Sequence, residues 1–160
     1  LLRKNGIDIV MTAKATRPGF DTSKLDYTFL KNTKFPLFSN GICLGLFNHL
    51  KRNNYDVVIS CDLGASHTYI AYLYAKLFKK KFIIWNEQWS KWSQSPKAKL
   101  VYPIVKHILR HSDAWVATGT LAKQWLISEG AIPEKTFIAI NAGEDLSKVN
   151  YPASRCEAYK

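Results

Sequence analysis

Four short stretches in the later part of the chain are apolar without interruption: Val57-Val58-Ile59, Phe82-Ile83-Ile84-Trp85, Ala114-Trp115-Val116-Ala117 and Phe137-Ile138-Ala139-Ile140. Strands covered on both faces carry such runs, because neither side alternates with solvent. Between them apolar residues recur at helical spacing, as at Ala71, Leu73, Tyr74, Leu77 and Phe78, or at Leu121, Ala122, Trp125 and Leu126. Strand and helix in alternation predict an α/β fold, a parallel sheet joined by crossover helices on both faces.

The opening Leu1-Leu2-Arg3-Lys4-Asn5-Gly6 reads as a helix end with a basic last turn and a capping glycine, followed by a strand from Ile7 to Ala13. A doubly wound sheet begins with a strand ahead of that helix, so the expectation is that the first strand and its loop are missing. From Lys14 to Phe38 the signals are weaker: Arg17-Pro18-Gly19 marks a turn, Tyr27 to Leu30 a strand, and Phe35-Pro36 an interruption. Ile42, Leu46, Phe47 and Leu50 predict a helix from about Asn40 that ends at Arg52-Asn53-Asn54. The chain has no internal repeat and no low-complexity segment.

The length of 160 residues suits one domain, and 47% apolar with 22% charged residues describes a globular core. The 23 Lys and Arg against 12 Asp and Glu leave a formal charge of +11, which attracts phosphates, nucleic acid or an anionic bilayer without choosing among them. Cys43, Cys61 and Cys156 are odd in number and too far apart for a metal site, which points to packing residues in a reducing compartment. No apolar run approaches the roughly 18 to 20 residues that cross a bilayer, and the start lacks the layout of a signal peptide. No Asp-x-Asp, no His/Cys cluster with metal spacing and no Gly-x-Gly-x-x-Gly occurs, so neither a metal-dependent mechanism nor an ordinary dinucleotide site gains support.

Four features in order carry a family resemblance: Tyr55-Asp56-Val57-Val58-Ile59 before an acidic loop at Asp62, Phe82-Ile83-Ile84-Trp85-Asn86-Glu87, Ser112-Asp113-Ala114-Trp115-Val116-Ala117-Thr118, and Gly130-Ala131-Ile132-Pro133-Glu134-Lys135. A fifth, Phe137-Ile138-Ala139-Ile140-Asn141-Ala142-Gly143-Glu144-Asp145, has Ala142 at the usual Asn position and keeps Gly143 and Asp145. Together they resemble the N-terminal, Rossmann-like domain of the family 4 (group 1) glycosyltransferases of GT-B architecture, over residues 1–13 and 55–149. The resemblance implies an acceptor-side domain over 1–149, a linker starting at 150–160, and a second domain, absent here, that binds the nucleotide-sugar. It implies transfer of a sugar to a lipid-linked or polysaccharide acceptor, with retention, without metal and with no cofactor beyond the nucleotide-sugar co-substrate. The fragment alone is then expected to be inactive, and the parent enzyme cytoplasmic, peripheral on the inner face of the cell membrane.

Loops after the carboxyl ends of parallel strands form the ligand crevice, which singles out Asp62, Glu87 and Thr118. Glu87 stands where many members of the resembled family carry a His; a carboxylate there either orients and deprotonates an acceptor hydroxyl or caps the following turn. Asp62, Gly64 and Ser66 lie between a strand and a helix, where they line an acceptor site or serve as caps, Gly64 allowing close backbone approach. His67 reads as a helix-start residue. Asn86 and Trp89 flank Glu87, and Trp85, Trp89 and Trp92 either stack on a sugar, sit at a headgroup boundary or pack in the core. Lys91 is placed to meet a phosphate. Thr118-Gly119-Thr120 opens a helix, as a modest anion site or simply as a cap. Lys79, Lys80 and Lys81, with Lys97, Lys99, Lys106 and Arg110 along an apolar 97–111 stretch, are either a face for anionic lipid or solvated lysines over a core stripe, with Pro103 kinking that helix or starting its second part. The rival class is a non-catalytic Rossmann-like module binding an anionic partner such as nucleic acid, but the aromatic and basic interleaving of an RNA-binding sheet is lacking, so no nucleic acid is expected.

Overall fold

The computed structural model describes residues 5–12, 26–35, 38–90 and 95–140. The expectations for Leu1 to Lys4, Arg17-Pro18-Gly19, Lys91, Trp92, Asn141 to Asp145, Cys156 and the 150–160 linker lie outside them. Two strands, β1 (Ile9–Met11) and β2 (Tyr27–Phe29), pair in parallel. A hairpin follows, β3 (Thr33–Phe35) and β4 (Phe38–Ile42), leading into α1 (Leu44–Asn53). The main sheet is β5 (Val57–Cys61), β6 (Lys81–Asn86), β7 (Ala114–Ala117) and β8 (Thr136–Ile138), parallel throughout and ordered β5-β6-β7-β8. The crossovers between these strands are α2 (Ser66–Leu77), α3 (Pro96–Arg110) and α4 (Thr120–Ser128), the last followed by a single 3₁₀ turn at Pro133–Lys135.

The α/β architecture therefore follows the apolar runs, and two local expectations need correction. The chain around Asn40 is strand, not helix: Gly41 sits at φ +71, a β-carbon there would strike the Thr33 carbonyl, and the hairpin register shifts opposite it. A bulge that only glycine fits thus holds the extended chain until Leu44. The helix does stop where expected, with Asn54 left-handed at φ 51 and its amide bonded to the Leu50 carbonyl. Pro103 does not start a second part: it lies within the single helix α3, whose start is fixed by Ser95 accepting the Ala98 amide at 3.2 Å and by Pro96 in the first turn.

The cover of the main sheet is uneven, which unbroken apolar runs did not foretell. Val58, Ser60, Phe82, Ile84, Asn86, Trp115 and Ala117 are buried, whereas the residues alternating with them are open or only half covered. Val57 is 48% exposed, Ile59 54% and Phe137 58%. The strands succeed one another in one direction across the sheet, and right-handed crossovers taken in one direction put α2, α3 and α4 on the same face. Contacts agree: Phe82 meets the Tyr72 ring of α2 edge-on at 5.4 Å, and the Trp115 indole donates to the Leu109 carbonyl of α3 at 2.8 Å.

At the amino edge of the sheet, Asp113 accepts Lys81 at 2.9 Å and the Phe82 amide at 3.0 Å, with Lys76 at 3.8 Å. Burial pulls its pKa upward, but the Lys81 bond, the Phe82 amide and the two lysine charges outweigh it, and the carboxyl sits below its ordinary 3.8. A carboxyl depressed on folding contributes stability above its unfolded pKa and loses it as pH falls through the lower folded value. Asp113→Asn is therefore expected to cost up to about 1 kcal/mol at neutral pH, discounted because the lysines are solvated. Urea midpoints of the two proteins should converge only once pH has fallen through that lowered folded value, and a difference that persists below it excludes the mechanism.

Candidate functional site at the carboxyl edge of the sheet

Parallel strands end together, so the loops after β5 and β6 meet over one edge. A cleft of about 540 Å³ opens there, lined by Cys61, Asp62, Leu63, Trp85, Asn86, Glu87 and Gln88. Asp62 and Glu87, picked from sequence position, are thus brought to the same cleft. Each element that positions them is local. Asp62 takes a left-handed turn at φ 69, accepts the Gly64 amide on its carboxylate at 3.1 Å, and offers its carbonyl to Ala65 at 3.2 Å. A short polar side chain that bonds its own backbone two residues on is the non-glycine type most at ease there.

The first helix turn behind the cleft is held by buried hydroxyls rather than by a side-chain cap. Ser60 and Thr68 lie 2.8 Å apart, and Thr68 is 2.7 Å from the Asp62 carbonyl and 3.1 Å from that of Cys61. Ser66 is buried and donates to the Gly41 carbonyl at 2.6 Å. The capping role read for Ser66 is therefore wrong: α2 has Ala65 at its cap with no side-chain bond, and Ser66 ties the helix to the hairpin instead. Gly64 supplies an amide to Asp62 and is not the left-handed residue of the turn.

Asn86 is 4% exposed and donates to the Gln88 carbonyl at 2.8 Å, while its own carbonyl accepts the Thr118 amide at 3.2 Å. It shapes the turn that aims Glu87. Glu87 is exposed, Trp85 half-buried and Trp89 65% exposed, so Trp89 is not core. Thr118 is half-buried beyond β7 and does not line the cleft; Gly119 is the extended residue at the start of α4, which has no side-chain cap.

Two residues of this edge escaped sequence reading. Cys61, read as packing, is exposed at the end of β5, whereas Cys43 is fully buried as expected. Desolvation by its surroundings pushes the Cys61 thiol up, and the Glu87 and Asp62 charges push it further. Tyr69 is pushed up to about 12, mainly by burial and then by Asp62. It packs against the core from the first turns of α2. Because the thiolate is the nucleophile, Cys61 should alkylate more slowly than a free thiol at pH 7.5, and Glu87→Gln should speed it a few-fold by removing one nearby negative charge. An unchanged rate in that variant, followed by peptide mass spectrometry, would separate Glu87 from Cys61.

His67 bonds the Cys61 carbonyl through Nε2 at 2.8 Å, which makes Nε2 the protonated nitrogen and leaves Nδ1 to accept the Thr12 hydroxyl at 3.4 Å. It is the helix-start residue expected, and it bridges β5 to β1.

The basic residues lie elsewhere. Lys79, Lys80 and Lys81 turn the chain from α2 into β6 at the amino edge, where Lys80 meets Asp56 at 3.5 Å and Lys81 meets Asp113. Lys106 is 4.0 Å from Glu129 and 5.7 Å from the centre of the Tyr102 ring, and Arg110 lies against Gly130. Lys99 is exposed, and Lys97 falls in the first turn of α3. Of the apolar stripe, Val101, Val105, Ile108 and Leu109 are core, while Leu100 and Ile104 are exposed. No described helix is long and apolar enough to cross a membrane.

An α/β fold with a four-stranded parallel sheet flanked by helices, and a cleft at the strands' carboxyl edge, is the class these observations define. Among solved structures the chain is similar to Anabaena Alr3699/HepE in complex with UDP-glucose, with a TM-score of 0.54 at 11% identity over 83% of this chain and 35% of that one. The chain thus spans about a third of that protein's length, and the likeness is one of fold. No protein-family model and no curated protein sequence matches it.

Proposed function

We propose that this chain is the acceptor-side half of a glycosyltransferase that uses a nucleotide-sugar, with Glu87 acting on the acceptor hydroxyl. The observation that carries the reading is the cleft at the carboxyl edge, where Asp62 and Glu87 both line the wall. Two carboxylates repel the phosphates of a nucleotide-sugar and accept hydrogen bonds from hydroxyls. The cleft chemistry therefore suits a hydroxyl-bearing acceptor, and the donor's phosphates belong to another part of the enzyme. The fold is similar to that of a protein solved in complex with UDP-glucose, which agrees with a nucleotide-sugar as the donor. Glu87 serves as hydrogen-bond acceptor and base to the attacking hydroxyl, Asp62 orients it, and Trp85 walls the cleft on one side.

The anionic-partner reading gains little from the charge of +11. Lys80, Lys81 and Lys106 are engaged with Asp56, Asp113 and Glu129 and do not converge on the cleft. The finer terms, retention at the anomeric carbon and a lipid-linked or polysaccharide acceptor, follow the family resemblance. The test is nucleotide release from UDP-glucose and related donors by the full-length gene product, with and without saccharide or lipid-linked acceptors. Acceptor-dependent release supports the reading, and its absence across donors and acceptors overturns it.

A further inference from the structure

We infer that His107 and His111, one turn apart at the C-terminal end of α3, form a two-imidazole site for a transition-metal ion of the zinc and nickel type. Two histidines four apart do not make a site by spacing alone, which only puts both side chains on one helix face. What makes one here is how each ring is held. The two rings lie nearly parallel, 25° apart in plane, with centres separated by 4.2 Å. His111, the residue that caps α3, donates through Nδ1 to the His107 carbonyl at 2.8 Å. That bond puts its proton on Nδ1 and leaves the Nε2 lone pair for a ligand.

His107 spends its other nitrogen in the same way. Its Nε2 lies 3.2 Å from the Tyr72 hydroxyl of α2, and with the proton directed at that oxygen the Nδ1 lone pair becomes the second donor. Tyr72 is itself fixed. Its ring meets His107 at 90° with centres 5.9 Å apart, and it packs edge-on against Phe82 of the core at 5.4 Å. Metal-binding imidazoles as a rule give their second N–H to a carbonyl or another oxygen, which sets tautomer and aim. Both rings have such a partner before any ion arrives, so little ordering is left for binding to impose.

The chemistry of the pair selects the ion. Imidazole nitrogen suits zinc, nickel and copper, whereas magnesium and calcium take oxygen. Donors about 2.0–2.1 Å from a tetrahedral zinc stand about 3.3 Å from each other. Rings 4.2 Å apart reach that separation by small rotations about their outer torsions, which are soft in histidine. Both side chains are exposed, and the end of α3 is the negative end of its dipole, which favours a cation. The opposing charge on α2 is Lys76, 5.4 Å from the centre of the Tyr72 ring, and Asp113 offsets it at 3.8 Å. Among the described residues no third His, Cys, Asp or Glu completes a larger cluster, so water fills the remaining positions. Affinity is then on the order of micromolar, far below that of a structural zinc site. Because β7 begins directly after α3, the pair stands at the amino edge, away from the cleft, and does not rest on the proposed function.

The experiment is calorimetric titration of Zn²⁺ alone into the full-length gene product and into its His107→Gln and His111→Gln variants, with imidazole nitrogen NMR to identify the atoms that take the ion. Both side chains are exposed, so the variants should melt with the wild type in the absence of zinc. Binding should weaken by about tenfold or more in each variant, and zinc should shift His107 Nδ1 and His111 Nε2 in the wild type. Equal binding in all three proteins overturns the site and leaves a thiol such as the exposed Cys61 as the ligand. A loss confined to one variant overturns the pairing of the two rings. No binding tighter than millimolar to the wild type overturns the inference altogether.

Discussion

Glu87→Gln in the full-length protein is expected to lower sugar-transfer turnover about 10²- to 10⁴-fold, the range of general acid or base assistance, with little change in melting temperature. Glutamine keeps the size and hydrogen-bonding reach of the side chain and removes its ability to take a proton. The turn that presents Glu87 is built by Asn86 and Gln88, and the helix that follows is capped by Ser95. A purely structural role for Glu87 gives the opposite pattern, since a lost cap costs about 0.5–2 kcal/mol in stability and leaves turnover alone. A KM that rises while kcat holds would make Glu87 a binding residue only. Turnover within about threefold of the wild type would remove it from the chemistry, which would then fall to Asp62, the other carboxylate of the cleft.

The second large effect is on folding. Trp115 is fully buried at the centre of the covered face and is the largest of the fully buried side chains. Trp115→Ala should cost about 3–5 kcal/mol through lost burial and the cavity left behind. The indole also satisfies the Leu109 carbonyl in α3, a bond that Trp115→Phe removes while keeping most of the bulk. That change should cost about 1–3 kcal/mol, the penalty of a buried acceptor left without its donor. Urea denaturation of both variants orders the two contributions, and a Phe variant as damaging as the Ala variant would mean that the hydrogen bond dominates.

These residues show what the sequence disclosed and what it hid. Trp115 stood within an apolar run bounded by polar residues, so its strand was legible from pattern alone. Gly41 was not, because its left-handed bulge depends on the carbonyl of Thr33 across the hairpin, a partner that no local pattern announces. Asp62 and Glu87 were found by topology, since a residue just past a buried parallel strand has a known address. Ser66 was misread for the reverse reason. A serine at a helix start has a local partner by default, and here its hydroxyl reaches Gly41, 25 residues away in sequence. The uneven cover of the sheet was hidden because apolar residues on an open face look the same in sequence as those beneath a helix.

Calorimetric titration of UDP-glucose into the full-length gene product and into the 160-residue chain tests the central claim most directly. The account predicts micromolar binding to the full-length protein, about −8 kcal/mol, and nothing tighter than millimolar, about −4 kcal/mol, to the 160-residue chain, whose cleft is lined by two carboxylates. Micromolar binding to the 160-residue chain, or no binding to the full-length protein by this or any other nucleotide-sugar, contradicts it.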